Sequence, residues 1–169
     1  DVLTGEPETV TTKAINPATP ILVGVGQIMV HWDGGSVEGA PSPQSLRIDA
    51  ARRAVEDSGV GAALMASIDK VVSVRINLDS VQGAKHPFGR CANPPGSLAH
   101  SLGIDSAAHV YSVVGGDQPQ ALVNEAAEDI FAGKAKAVLL AGSEATAAMK
   151  TALKKRIKLD WSSFVEGEF

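Results

Sequence analysis

Residues 110–130 read VYSVVGGDQPQALVNEAAEDI, and this stretch decides the predicted fold. The run from Val110 to Val114 is rich in β-branched and aromatic side chains, which is typical of a strand. Two glycines follow, and Asp117 with Gln120 matches a capping box at the start of a helix. The stretch therefore predicts a strand, a tight turn and a helix, a junction at which α/β proteins place a nucleophile or bind an anion.

The turn of this junction contains no serine, cysteine or lysine. At Gly115 and Gly116, free N–H groups of the following helix would stabilise an oxyanion. The carboxylate of Asp117 opposes an anion there, because it already occupies the positive end of the helix. We therefore treat Ser112, Gly115, Gly116, Asp117 and Gln118 as candidates for substrate binding and name no catalytic residue.

The same alternation of strands and helices continues on both sides of the junction. Further strands are predicted at residues 21–30, 68–76 and 137–142, and further helices at residues 42–58, 93–102 and 146–156. Gly59, Gly103 and Gly133 are the predicted helix stops. This alternation of strands and helices predicts an α/β layered domain with a mixed, mostly parallel sheet and helices on both faces.

The chain divides into three predicted parts. Residues 1–19 are rich in Thr, Pro and Glu without a period, and we interpret them as a flexible arm. Residues 20–157 form the α/β domain. Residues 158–169 are the start of a loop region or a truncated tail, because Trp161, Phe164 and Phe169 follow no pattern that would bury them.

Composition excludes several classes of function. The net charge is -4 and the pI about 5.5, so no broad basic surface is expected and nucleic-acid binding is excluded. No run of about 18 apolar residues occurs, which predicts that no segment spans a membrane. The single cysteine, Cys91, excludes an intrachain disulfide, and together with the lack of a signal peptide it favours the cytoplasm.

A dinucleotide-binding site is the main alternative that the first predicted strand suggests. Gly24 and Gly26 begin a glycine fingerprint, but Met29 stands where the third glycine belongs. The next helix also begins about 15 residues later instead of at once. A Rossmann-like oxidoreductase is therefore disfavoured against close packing of a central strand.

Three other features have structural interpretations that we favour. Cys91 lies just before a predicted helix N-terminus, but no strand-to-helix turn presents its thiol. Glu144 follows the last predicted strand, where helix capping is favoured over catalysis. Four histidines lack the spacing of metal ligands, and no metal is expected: His31, His86, His100 and His109.

Several motifs, taken in order, resemble the N-terminal half of thiolases. They are NPPGSLA at residues 93–99, the strand into Gly115 and Gly116, IFAG at residues 130–133 and VLLAGSEA at residues 138–145. The opening PILVGVGQ at residues 20–27 is similar to the first strand of that family. The resemblance covers about residues 20–150. In thiolases the strand before this turn delivers a nucleophilic cysteine.

The resemblance places Gly116, or Gly115 with a slip of one residue, at the position of that cysteine. Cys91 does not correspond to it, because Cys91 precedes the preceding helix. Cysteine-less thiolase-like proteins, often called acetyl-CoA acetyltransferases, have a similar turn. The thiolase fold has two similar halves, each with a five-stranded mixed sheet. The resemblance thus implies an incomplete first half, with strands one to four.

The resemblance implies a thiolase-like protein of acyl-CoA and lipid metabolism. Ordinary thiolase activity is not expected, because glycine cannot hold an acyl group as a thiolate does. Coenzyme A or acyl-CoA is the implied substrate, with no permanently bound cofactor. The implied partner is a C-terminal thiolase-like half, in the same gene product or as a separate subunit. The alternative is a non-catalytic half that completes an active acyltransferase partner.

Overall fold

The structure, a computed structural model, describes residues 14–83, 85–105 and 108–167. Within these ranges the strands are β1 (Lys70–Ser73), β2 (Ala108–Tyr111) and β3 (Val138–Ala141). The helices are α1 (Pro43–Asp57), α2 (Ala62–Met65), α3 (Asn77–Ser80), α4 (Pro94–Leu102), α5 (Gln118–Phe131) and α6 (Thr146–Lys155). Most of the arm predicted at residues 1–19 lies outside the described residues.

The three strands form a parallel sheet in the order β2-β1-β3. Val72 of β1 pairs with Val110 on one side and with Leu140 on the other. Helices α1 and α4 pack together on one face, while α5 contacts β3 from the other. The predicted α/β fold with a parallel sheet is therefore confirmed.

The main core lies between the sheet and the pair α1 and α4. Leu98 of α4 and Val71 of β1 are fully buried at its centre. The buried apolar residues of this core are Ala51, Ile68, Val71, Leu98, Ala99, Leu102, Ile104, Leu139 and Ala141. Side chains of β3 alternate between the two faces, so Leu139 and Ala141 enter this core while Val138 and Leu140 face α5.

The predicted bounds of α1 and α4 agree with the structure to within one residue, and local hydrogen bonds explain why. Ser42 caps α1 through a reciprocal capping box with Ser45. The side chain of Asn93 accepts a hydrogen bond from the Gly96 N–H at 2.8 Å at the start of α4. Gly103 ends that helix with a φ of 70°. These signals are local, because each joins residues within one turn.

The predicted capping box at the start of α5 is wrong. Asp117 has φ -85° and ψ -10°, and its side chain makes no capping hydrogen bond. Because this backbone is already helical, the carboxylate does not reach back to the first-turn N–H groups, as an extended capping residue would. The amide of Gln120 instead donates to Asn124 Oδ1 at 3.0 Å.

The prediction of a strand at residues 21–30 is also wrong. The segment forms no strand, and Leu22 and Met29 are more than four-fifths exposed. It lies along α1, where the Val25 N–H donates to Asp57 Oδ2 at 2.9 Å and Arg53 donates to the Gln27 carbonyl at 3.0 Å. An apolar segment forms a strand only where another strand pairs with it.

The predicted strand at 110–114 ends early. β2 stops at Tyr111, and the Ser112 N–H makes a last ladder bond to the Ser73 carbonyl at 3.0 Å. Beyond it Val113 and Val114 are exposed, at 66% and 61%. Their β-branched side chains favour a strand locally. However, β1 ends at Ser73, so no described residue of β1 remains to pair with them.

The C-terminal segment packs against the loop before α4, a contact that its sequence did not reveal. The Trp161 N–H donates to the Phe88 carbonyl at 2.6 Å, and the two rings lie edge to face with centroids 5.2 Å apart. The Ala92 N–H donates to the Ser163 carbonyl at 3.0 Å. Trp161 is thus half-buried, contrary to prediction, whereas Phe164 is exposed and Phe169 lies outside the described residues.

A substitution at Gly26 tests how closely residues 20–30 pack against α1. A Cβ at this position would stand 2.1 Å from the Ala50 carbonyl oxygen and 2.5 Å from the Ala54 nitrogen. We expect Gly26→Ala to lower the free energy of unfolding by about 1–3 kcal/mol in urea denaturation, because backbone atoms must shift. Gly39→Ala is the matched control, since its nearest neighbour is 3.7 Å away. Equal stability of both variants would contradict the contact.

Candidate functional site

The carboxyl ends of the three parallel strands meet at one edge of the sheet, where α/β proteins bind ligands. Ser112 follows β2 at this edge and is buried. Its Oγ accepts a hydrogen bond from the Arg75 N–H at 2.9 Å and donates to the Val113 carbonyl at 3.0 Å. The hydroxyl of Ser112 is therefore engaged in joining the ends of β1 and β2.

The other predicted residues lie on the surface turn between β2 and α5. Gly115, Gly116 and Asp117 are exposed and Gln118 is half-buried. The structure therefore separates these residues from the buried hydroxyl of Ser112. Their role in substrate binding stays a prediction.

The N–H groups of the first turn of α5 largely have partners. The Gln118 N–H donates to the Gly115 carbonyl at 3.3 Å. Those of Gln120 and Ala121 both donate to the Asp117 carbonyl at 3.1 Å. Pro119 has no N–H to offer. The donors that the sequence predicted for an oxyanion are thus mostly engaged within the turn itself.

A buried polar cluster, which the sequence did not predict, surrounds Asp79. The carboxylate accepts a hydrogen bond from the Tyr111 hydroxyl at 2.5 Å. Its Oδ1 lies 3.3 Å from His86 Nε2 and 3.3 Å from Arg90 Nε. The Arg75 guanidinium lies 4.4 Å from the centre of the Tyr111 ring. The sequence signal was a loop with several polar side chains, in which His86 was interpreted as an ordinary loop residue.

Burial and the hydrogen bond to Asp79 raise the pKa of Tyr111 well above its usual range. Tyr111 is the single tyrosine of the chain, so its ionisation can be followed directly by tyrosinate absorbance. In the unfolded chain the hydroxyl ionises near pH 10. The stability that neutral Tyr111 contributes is therefore complete below about pH 10 and is lost as the pH rises through the folded pKa.

We expect tyrosinate absorbance of the folded protein to stay low at pH values at which a denatured sample is already ionised. A spectrophotometric pH titration, with and without denaturant, measures both midpoints. Tyr111→Phe should remove the signal and reduce the loss of stability above about pH 10. Coincident midpoints for the folded and denatured protein would contradict the buried hydrogen bond.

Arg47 of α1 is buried beside this cluster. Its Nη1 donates to Gln44 Oε1 at 2.6 Å, and its Nη2 lies 3.5 Å from the Val74 carbonyl oxygen. Within the described residues Nε has no hydrogen-bond partner and no carboxylate forms an ion pair with the guanidinium. Burial lowers the pKa of Arg47. A cavity of about 30 Å³ beside it, which Cys91 also lines, has room for one or two water molecules but not for coenzyme A.

Glu144 has the structural role that the sequence favoured. Its Oε1 accepts a hydrogen bond from the Asn77 N–H at 2.6 Å, at the start of α3. Cys91 is half-buried and lies opposite Ser163 in an isolated β-bridge. Among the described residues, no three His, Cys, Asp or Glu side chains are placed to hold a metal ion.

Comparison with known structures identifies the class of fold as thiolase-like. A matching crystal structure is that of a monomeric SCP2-thiolase-like protein type 1 from Mycobacterium smegmatis, with 31% sequence identity and a TM-score of 0.59. The match covers 75% of this chain and 23% of that chain, so the present chain spans less than a quarter of its neighbour. No protein-family model and no curated protein sequence matches.

The match supports a place for this chain in the thiolase-like superfamily. Its three-stranded parallel sheet and six described helices correspond to a fragment of a thiolase-like fold. None of the helices in the described ranges combines the length and the apolar character that crossing a membrane requires.

Proposed function

We propose that this chain is part of a thiolase-like protein of acyl-CoA and lipid metabolism that lacks ordinary thiolase activity. The observation that carries the proposal is the turn between β2 and α5. Gly115 and Gly116 occupy it, both exposed, at the position where the thiolase resemblance places the nucleophilic cysteine. The similarity to an SCP2-thiolase-like protein supports the link to acyl-CoA and lipids.

The chemistry of a thiolase needs a thiolate that accepts the acyl group and a base that moves the α-proton. Glycine supplies neither group. Ser112, the nearest hydroxyl along the chain, is buried and bonded to the main chain on both sides. A covalent acyl-enzyme at this turn is therefore not expected, and acyl-CoA would be bound without being transferred to the turn.

The second proposal is a non-catalytic half that completes an active acyltransferase partner. It is favoured by the length of the match, because the chain spans 23% of its structural neighbour. That neighbour is described as monomeric, so it lends no support to a separate partner subunit. Under either proposal we place the protein in the cytoplasm.

Intact-mass spectrometry under denaturing conditions tests the missing nucleophile. We expect no acetyl adduct after incubation of the purified protein with acetyl-CoA. An adduct on Cys91 or Ser112 would overturn the proposal. Calorimetric titration with acetyl-CoA then separates the two functions, because binding favours an acyl-CoA protein, whereas stable co-purification with an active acyltransferase favours the structural half.

Gly116→Cys is a control for access to the turn. A Cβ at Gly116 meets no atom within 4 Å, and its φ is not positive, so a side chain fits without strain. We expect iodoacetamide to label this variant at one site more than the parent protein, which has only Cys91. Absence of the additional label would show that the turn is closed to ligands.

A further inference from the structure

Two buried N–H groups, Arg47 Nε and Trp161 Nε1, have no hydrogen-bond acceptor within the described residues. Both side chains line the cavity of about 30 Å³ at the carboxyl ends of β1 and β2. Arg47 is 1% exposed, and Trp161 is half-buried. Because buried polar groups nearly always have a hydrogen-bond partner, two such donors at one cavity call for an acceptor inside it.

The chemistry of the two groups restricts what that acceptor is. A guanidinium and an indole nitrogen only donate hydrogen bonds, so Arg47 and Trp161 cannot satisfy each other. The terminal nitrogens of Arg47 are directed elsewhere, Nη1 to Gln44 Oε1 at 2.6 Å and Nη2 toward the Val74 carbonyl at 3.5 Å. A species that accepts hydrogen bonds and has none to donate fits these two N–H groups best.

The charged side chains around the cavity favour an anion over a neutral acceptor. Arg47 and Arg90 are the cations among the described lining residues, His86 adds a third when it is protonated, and Asp79 is the carboxylate. Asp79 Oδ1 lies 3.3 Å from Arg90 Nε and 3.3 Å from His86 Nε2, so its charge is balanced without Arg47. A buried charge is costly unless it is paired, and an anion beside Arg47 would pair it.

The size of the cavity restricts the anion further. It has room for one or two water molecules, so sulfate and phosphate, with four oxygens each, do not fit. Trp161 also borders a second cavity, of about 50 Å³, but Glu144 lines that one and its carboxylate would repel an anion. The first cavity is therefore the site, and its ligand is small and monovalent.

The two donors are held in place by separate parts of the fold. Arg47 lies on the buried stripe of α1 with Ala51 and Val55, at a position where core packing alone calls for an apolar residue. The Trp161 N–H donates to the Phe88 carbonyl, and the two rings lie edge to face with centroids 5.2 Å apart. Both donors are thus positioned before a ligand arrives, which favours binding.

We propose that this cavity binds a small monovalent anion, such as chloride, through Arg47 Nε and Trp161 Nε1. The anion accepts both hydrogen bonds and balances the charge of the buried guanidinium. The inference goes beyond the proposed function and does not rest on it, because it requires neither acyl-CoA nor a nucleophile at the turn between β2 and α5.

Broadening of the chlorine NMR line of dissolved chloride measures binding to the purified chain in solution. We expect broadening that depends on the protein, saturates with chloride and is reversed by bromide, which competes for the same cavity. A line that the protein does not broaden, or broadening that never saturates, would overturn the proposal.

Two tryptophan variants test the indole donor. Trp161→Phe keeps an aromatic ring against Phe88 but removes the N–H, and it should weaken chloride binding about tenfold or more. Trp32→Phe is the matched control, because Trp32 Nε1 already donates to the Ser36 carbonyl at 2.8 Å. We expect its chloride affinity to equal that of the parent. Equal affinity of the two variants would overturn the role of Trp161.

Two arginine variants test the guanidinium. Arg47→Lys keeps a positive charge without an Nε donor, and we expect it to lose measurable chloride binding. Arg52→Lys is the matched control on the same helix, since its side chain is 55% exposed, and it should bind as the parent does. Retained binding in Arg47→Lys would overturn the site. Circular dichroism checks the fold of each variant, and if Arg47→Lys does not fold, the tryptophan pair decides.

Anomalous diffraction from crystals grown in bromide distinguishes an anion from a water molecule. We expect an anomalous peak within hydrogen-bonding distance of both Arg47 Nε and Trp161 Nε1. Electron density without an anomalous signal would show an ordered water only and would overturn the proposal. A bromide peak at other residues alone would do the same.

Discussion

Leu98→Ala should lower the free energy of unfolding by about 2–5 kcal/mol, the range for fully buried leucines. Leu98 lies on α4 at the centre of the main core, where none of its surface is exposed. Fully buried Val71 of β1 packs in the same cluster, so the truncated side chain leaves a void that the sheet cannot fill. Urea denaturation followed by circular dichroism measures the change.

Leu153→Ala is the matched control for this prediction. Leu153 lies on α6 and is 53% exposed, so its truncation removes little buried surface. We expect a change within about 0.5 kcal/mol. Similar losses in both variants would mean that the core does not lie between α4 and the sheet.

Asp79→Ala should lower the free energy of unfolding by about 2–4 kcal/mol, because it removes the carboxylate that accepts the Tyr111 hydroxyl and faces His86. The side chain of Asp79 is 2% exposed and receives the Tyr111 hydroxyl. Arg90, whose side chain is 54% exposed, can turn to water and limits the loss. The same variant should lower the pKa of Tyr111, since the hydrogen bond that holds the proton is gone.

The tyrosinate titration distinguishes this effect from general loosening of the fold. Asp117→Ala is the control, because the exposed carboxylate of Asp117 makes no capping hydrogen bond. We expect it to change neither the midpoint of the titration nor stability by more than about 0.5 kcal/mol. A tyrosinate midpoint unchanged in Asp79→Ala would show that Asp79 does not hold the proton of Tyr111.

The boundaries of α1 and α4 could be predicted because their signals lie within a few residues, whereas the one-turn helices α2 and α3 were not predicted. Ser42 with Ser45 and Asn93 with Gly96 each form a cap across one turn, and Gly103 ends α4 through its own backbone angle. The strand at residues 21–30 could not be judged in this way. Its composition favours a strand, but pairing depends on a neighbour far away in the chain.

The polar cluster was missed for the same reason. Asp79 and Tyr111 are 32 residues apart in sequence, and the pairing of β1 with β2 brings them within hydrogen-bonding distance. Ser112 was a candidate because it lies in the predicted strand close to the turn, but its burial and its two hydrogen bonds appear only in the folded chain. The absence of a nucleophile at Gly115 and Gly116 was readable from the sequence, because it depends on side-chain identity alone.

Among the residues that the structure describes, β3 pairs with β1 alone, and this open edge of the sheet has a consequence for handling the protein. An exposed strand edge beside apolar surface is a template for pairing between molecules, which leads to aggregation. Self-association should therefore rise steeply with concentration, and light scattering at a series of dilutions would detect it. A short peptide that occupies the edge would act as a solubilising cap and keep this chain monodisperse.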